Sequence, residues 1–263
     1  MFVMDQPSSR RAEKMEVMAM ELRRRQMLKG IGVCGASFLL DAFAAGKTAS
    51  GKESEEKKDK EKGEDVTAVE DLMREHGVLR RALLVYSETI PKLSAKGSSI
   101  VPEMLERTAK LFRAFGEDYH EKNLEEAYIF LVLKKAGDPV SGLTDILIEQ
   151  HRRGREITDS ILAVTRAAKL EPKNIAPLKK TLESFVLMYR NHAAREDTVV
   201  FPAWKRILAP KELDKMGEKF EKIEHQQFGE DGFDKAVREI SNIEKALGFS
   251  DLAHFTAPLP PLR

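Results

Sequence analysis

The sequence has a single cysteine, Cys34, in 263 residues. One thiol excludes an internal disulfide, a thiolate zinc knuckle and a self-contained iron–sulfur cluster. Any metal must therefore be held by nitrogen and oxygen, and six histidines and 43 acidic residues are on hand. Net charge is lacking too. The 44 basic side chains exceed the acidic ones by one, so no overall field points to nucleic acid or another polyanion. No segment keeps the two-residue alternation of a strand. No apolar run reaches the roughly 20 residues of a normal membrane span. A nucleotide-binding loop and a nucleophile triad are also missing. What remains is 42% hydrophobic and 33% charged, an ordinary mix for a soluble helix-rich chain with one well-buried core or two small ones.

The first 65 residues read as address and tether. Arg24-Arg25-Gln26-Met27-Leu28-Lys29 has the form of a twin-arginine export signal. A modest apolar stretch from Gly30 to Leu40 follows, and Ala42-Phe43-Ala44 offers an A-x-A cleavage site. Val33 is too large for lipoprotein processing at Cys34. Residues 1–45 are thus expected to be a signal region, lost together with Cys34. The mature protein would be periplasmic or otherwise extracytoplasmic, with no stable membrane span. Residues 46–65 are almost entirely charged or small. They cannot bury enough apolar surface to order themselves and read as a disordered linker.

From Thr67 the pattern becomes helical. Thr67-Ala68-Val69-Glu70 fits a capping box, and Val69, Leu72, Met73, His76, Leu79, Leu83 and Ile90 repeat at helical spacing. A second helix is expected from about Pro102 to Ala136, with Leu105, Phe112, Phe115 and Tyr119 on its buried side and Gly137 closing it. A third spans about Ser141 to Leu170, with Leu147, His151, Gly154, Thr158, Ile161 and Val164 on one side. A fourth spans about Ile175 to Leu208. Its stripe is Leu178, Leu182, Phe185, Tyr189, His192, Glu196, Val199 and Ala203, with Pro202 set to kink or end it. Two further helices are expected near 211–227 and 232–247, separated by a turn at 228–233, before a proline-containing tail. The expected fold is all-α. An up-down-up-down four-helix bundle over 66–208 carries a C-terminal helical extension over 209–263.

Each of the four long helices carries one histidine near its middle: His76, His120, His151 and His192. A lone histidine on an apolar face is usually a packed core residue. Four of them meeting at one level of a bundle are costly without hydrogen bonds or a metal. Glu196 stands one turn after His192 and interrupts an apolar stripe, where an unpaired carboxylate is expensive. Glu121, Glu125 and Glu126 follow His120. Four imidazoles with two or three carboxylates are too many for one tetrahedral ion and suit two octahedral ions that share bridging carboxylates. His225 and His254 fall outside this pattern; His225 reads as a surface residue or an extra-domain contact, and His254 as a solvated residue of the tail. Tyr119 and Tyr189 neighbour the central histidines, as core residues or as hydrogen-bond donors.

At these residues the sequence resembles the hemerythrin-like, HHE cation-binding family. The pieces that carry the likeness are EDLMREHGVLRR (70–81), EDYHEKNLEEAYIF (117–130), IEQHRRGREIT (148–158) and MYRNHAAREDTVVFPAW (188–204). The resemblance implies a four-helix bundle with a non-haem di-iron centre. By matching, His76, His120, His151 and His192 take the histidine places. Glu196 takes the bridging place on the fourth helix, and Glu121 matches an extra carboxylate found in some members. Two departures stand out. The second-helix glutamate follows its histidine by four residues in the family, whereas here that place is Leu124 and the glutamate is Glu125. In a regular α-helix Glu125 would point about 140° away from His120. A π-bulge absorbing Asn123 would bring it back; otherwise Glu121 or Glu117 would bridge. On the third helix, Arg155 stands where oxygen carriers have a second histidine, with Glu156 beside it.

Two functional readings remain open on the sequence. The first is an exported protein with two non-haem irons per chain that binds dioxygen or another diatomic as sensor, carrier or scavenger. The second is a di-iron redox enzyme acting on ferrous iron, peroxide or nitric oxide, or delivering iron for repair. A structural bundle with adventitious metal is a third alternative.

Overall fold

The computed structural model describes residues 66–94, 102–229 and 231–260. The expected signal region and charged linker lie outside the described residues. One compact unit spans Val66–Arg263, and every regular element within its described residues is helical.

Helix α1, Ala68–Thr89, starts where Thr67 accepts a hydrogen bond from the Glu70 amide at 3.2 Å, which satisfies one of the orphan donors of a helix start. It tightens into a 3-10 turn over Ile90–Ser94. Helix α2, residues 102–136, is α-helical over Pro102–Leu111, π-helical over Phe112–Ile129 and α-helical again over Phe130–Ala136. Gly137 ends it with φ 64°, the left-handed conformation that relieves the last carbonyls. Helix α3 is Ser141–Thr165. Helix α4, residues 172–207, runs α-helically over Pro172–Arg195, makes a π turn over Glu196–Val200 and resumes over Phe201–Ile207. Helices α5 (Pro210–Phe228) and α6 (Gly232–Leu247) form a hairpin.

Helix α4 packs against α1 and α3, and α2 packs against α1 and α3, which leaves a shared interior among the four. That interior holds Leu72, Leu105, Phe112, Phe115, Leu182, Phe185 and Trp204, all essentially inaccessible. Burying each such side chain contributes about 1.5–3 kcal/mol. The α5–α6 hairpin covers the outside of α1 and α2. Ion pairs from Arg81 to Glu244 and from Arg107 to Glu239 tie α6 down. Among the described residues no helix is long and apolar enough to cross a membrane.

Two expectations need correction. Pro202 does not end α4, which runs on to Ile207. It follows the π turn, whose closing bond runs from the Phe201 amide to the Glu196 carbonyl. That turn also shifts the buried face by one residue, so Val200 is in the core and Val199 is only half-buried. The third helix stops at Thr165, five residues before the expected Leu170.

Candidate metal centre

The four mid-helix histidines meet in pairs. His76 Nε2 and His120 Nε2 are 3.0 Å apart, and so are His151 Nε2 and His192 Nε2. Between the pairs lie Glu125 from α2 and Glu196 from α4, and each gives one oxygen to each pair. Glu125 Oε1 is 3.3 Å from His120 and its Oε2 is 3.4 Å from His151. Glu196 Oε1 is 3.0 Å from His192 and its Oε2 is 3.5 Å from His76. All six side chains are buried. Among the described residues, donor atoms of Glu125, His151, His192 and Glu196 form one group close enough to hold an ion, and those of His76, His120 and Glu125 form another.

Glu125 reaches this place because of the winding of α2. In a π-helix the hydrogen bond spans five residues, so residue i+5 stands nearly above residue i. The expected bulge around Asn123 is thus part of a longer feature, an 18-residue π-helical stretch. Neither alternative carboxylate lies between the histidines. Glu117 accepts from the Thr158 hydroxyl and pairs with Arg113 at 2.6 Å. Glu121, expected among the ligands, is buried, but it accepts from Tyr189 Oη at 2.8 Å and faces Arg155 at 3.5 Å. Those two partners hold it outside the converging group. Glu156 is exposed and paired with Arg152 and Arg153. His225 and His254 are exposed.

Each histidine turns its other ring nitrogen to an acceptor on a neighbouring helix. His76 Nδ1 donates to Asp197 at 2.6 Å, and His120 Nδ1 donates to Glu75 at 2.5 Å. His151 Nδ1 donates to Glu126 and His192 Nδ1 to Gln150, both at 2.9 Å. Every one of these acceptors sits next in sequence to a residue of the centre. The pattern closes into a ring: α4 supplies α1, α1 supplies α2, α2 supplies α3 and α3 supplies α4. On the sequence Glu126 stands only among the carboxylates that follow His120, and Asp197, Glu75 and Gln150 are not singled out. Adjacency to a candidate ligand was the available signal, and it did not say which helix each would serve. The arrangement leaves Nε2 of every ring free to face inward, which is how metal-bound histidines are oriented.

Whether these residues suit a cation is decided by the carboxylates. Two imidazoles 3.0 Å apart could share a proton. The four oxygens of Glu125 and Glu196, however, are buried and have no hydrogen-bond partner. Four orphaned anionic oxygens cost several kcal/mol unless a positive charge lies among them. Nitrogens 3.0 Å apart also fit two neighbouring ligands on one ion, with metal–nitrogen distances of about 2.1 Å. Charge follows the same logic. Burial alone would raise Glu196 and Glu125, but the imidazoles beside them hold both below the ordinary carboxylate value. Burial would lower His120 and His151, but the facing carboxylates hold both well above the ordinary imidazole value.

A cavity of about 10 Å3 adjoins the centre, and His76, His120, His192 and Glu196 line it together with Leu79, Leu83, Phe112 and Arg80. That is room for about one water-sized molecule. Glu121 and Tyr189 also face it. Gly154 makes the place for Tyr189, since a Cβ there would stand 1.9 Å from the phenol oxygen. Phe112 and Phe185 pack on the Tyr189 ring at 4.7 and 4.6 Å between centroids.

Glu117, one turn before Glu121, carries a testable pH dependence. Burial and the Glu121 charge push it up to about 8, against the hydrogen bond from Thr158 and the charges of Arg113 and Arg155. A carboxyl raised on folding stabilises fully below its unfolded value near 4.5 and loses that contribution as pH climbs through about 8. Between those limits the loss approaches roughly 1.4 kcal/mol per pH unit. Chemical denaturation of wild type and Glu117→Gln at pH 5, 7 and 9 is expected to show the wild type losing stability relative to the variant as pH rises. Parallel curves would refute this assignment.

The description "Hemerythrin HHE cation binding domain" applies to the family profile that matches residues 67–204. Uncharacterized proteins of Mycobacterium bovis and of two strains of Mycobacterium tuberculosis are each 46% identical over 192 residues, covering 73% of this chain and 74% of theirs. No solved structure matches the chain significantly.

Proposed function

The chain belongs to the hemerythrin HHE cation-binding family, and from that premise we propose that it is an exported non-haem di-iron protein that binds dioxygen or another diatomic as sensor, carrier or scavenger. Two ions are proposed because the donors fall into two pairs with one oxygen of each bridging glutamate apiece. Iron is proposed because the set is nitrogen and carboxylate without sulfur. His76 and His120 would hold one ion, His151 and His192 the other, and Glu125 and Glu196 both. The four central helices are taken to run alternately up and down, which brings mid-helix residues to one level. Export rests on Arg24-Arg25 and the apolar stretch after them. A route that moves folded proteins would let metal be loaded first.

Bound iron would supply reversible coordination and a change of oxidation state. The protein contributes the rest. Nδ1 partners fix each imidazole plane, and Leu79, Leu83 and Phe112 give the cavity an apolar lining. The cavity admits only something very small. This single observation, a water-sized space against both halves of the centre, carries the diatomic reading.

A second reading, a redox enzyme, is favoured by the polar corner of that cavity. Glu121 and the Tyr189 hydroxyl are hydrogen-bonded there, and Arg155 stands close by. A plain carrier has little use for such groups, whereas peroxide or nitric oxide reduction needs donors beside the ligand.

The test is to purify residues 66–263, determine metal per chain, and record near-ultraviolet and visible spectra under argon, after oxygen and after renewed argon. Two irons per chain with a reversible oxygen-dependent spectrum are the expected result. Two irons with no reversible change, together with peroxide turnover, would move the assignment to the second reading. A metal-free chain with an intact helical fold would end both.

A further inference from the structure

Helix α5 lies along the outside of the π-wound stretch of α2 and grips it at both ends. At one end Phe220 packs on Tyr128 with ring centroids 5.9 Å apart, and Lys219 Nζ sits 4.1 Å over the same ring. At the other, Phe228 meets Phe115 and Tyr119 at 6.2 and 5.4 Å. Gln227 makes two hydrogen bonds there. Its side-chain oxygen accepts from Asn123 Nδ2 at 2.8 Å, and its Nε2 donates to the Ala114 carbonyl at 3.1 Å. Gly232, the first residue of α6, makes room for this contact, because a Cβ there would stand 2.3 Å from the Phe228 ring.

This grip bears on the centre because π winding is normally confined to single turns. Phe112–Ile129 is built from residues that would also propagate an ordinary α-helix, so an 18-residue π stretch needs support from outside. The winding is what turns Glu125 toward His120. In α winding Glu125 would point about 140° away. Asn123, the side chain that Gln227 holds, lies between those two residues in sequence.

We propose that the α5–α6 hairpin is a working part of the metal centre. By holding α2 in π winding at Ala114, Tyr119 and Asn123, it sets the position of Glu125 and thereby the metal affinity. Metal binding in turn strengthens docking of the hairpin, as reciprocity of coupled equilibria requires. The inference rests on the metal-centre reading above. Gln227 is a positioning residue: it is exposed and acts on the centre only through α2.

The test uses the full chain with Co(II) as probe. Two variants are compared with wild type: Gln227→Ala, which loses both bonds, and Gln227→Glu, which keeps the acceptor for Asn123 and loses the donor to Ala114. In metal-free protein, amide hydrogen exchange over 119–129 is expected to quicken in Gln227→Ala while the thermal midpoint hardly moves. Co(II) affinity is expected to fall about threefold to tenfold in Gln227→Ala, the usual scale for one or two hydrogen bonds, and less in Gln227→Glu. Loading wild type with Co(II) should slow exchange over 219–228. Normal Co(II) uptake with unchanged affinity and unchanged exchange in both variants would overturn the coupling alone. A wild type that takes up no Co(II) would overturn it together with the metal reading.

Discussion

Glu196→Gln is expected to strip the protein of its metal while leaving its helices in place. The residue offers one oxygen to His192 and the other to His76, 3.0 and 3.5 Å away, so it serves both halves of the centre. An amide keeps the volume but presents one neutral oxygen in place of two anionic ones. Losing an outer hydrogen-bond partner of a metal ligand already costs about 10–100-fold in affinity. Losing a carboxylate that reaches both histidine pairs should cost more than the upper end of that range. The metal-free fold should tolerate the change, because the swap conserves volume in a packed interior and removes a buried charge. Metal analysis after dialysis against a chelator, with circular dichroism on the same samples, reads both effects. Undiminished metal content would remove Glu196 from the centre.

The second large effect falls on stability. In Gly154→Ala the new Cβ would stand 1.9 Å from Tyr189 Oη, 2.8 Å from Cζ and 3.0 Å from Cε2. The ring cannot slide aside, since Phe112 and Phe185 pack against it. Overpacking and the lost hydrogen bond to Glu121 together should cost roughly 2–4 kcal/mol. Chemical denaturation measures the loss. The Gly154→Ala/Tyr189→Phe double variant should recover part of it, because the nearest atom of the clash is then gone. Equal destabilisation of the single and double variants would place the cause elsewhere.

Much of this centre was legible in the sequence. His76, His120, His151 and His192 each fall within an apolar helical stripe, and Glu196 breaks the clearest of those stripes. The five-residue step from His120 to Glu125 announced irregular winding, because an α-helix cannot put both on one face. The extent of the π stretch was not legible. Its residues form either helix, and its support comes from α5, roughly a hundred positions away in sequence: Asn123 and Gln227 are separated by 104 residues. The same limit hid Asp197 as the partner of His76, 121 residues distant. Gly154 read as a small residue on a buried face, and only the position of Tyr189 gives it a reason. Glu121 was matched to a ligand place by likeness, yet Tyr189 and Arg155 compete for its oxygens.

The ring of acceptors behind the histidines also makes the two halves of the centre unequal. Each half offers two imidazoles and an oxygen of Glu125, and Glu196 groups with His151 and His192. Behind His76, His120 and His151 stand the anions Asp197, Glu75 and Glu126, whereas behind His192 stands the neutral amide of Gln150. An anionic partner makes an imidazole a stronger electron donor than an amide does. His76 and His120 are therefore both strengthened as donors, whereas of the other two imidazoles only His151 is. A centre with near-mirrored histidines thereby gains a direction.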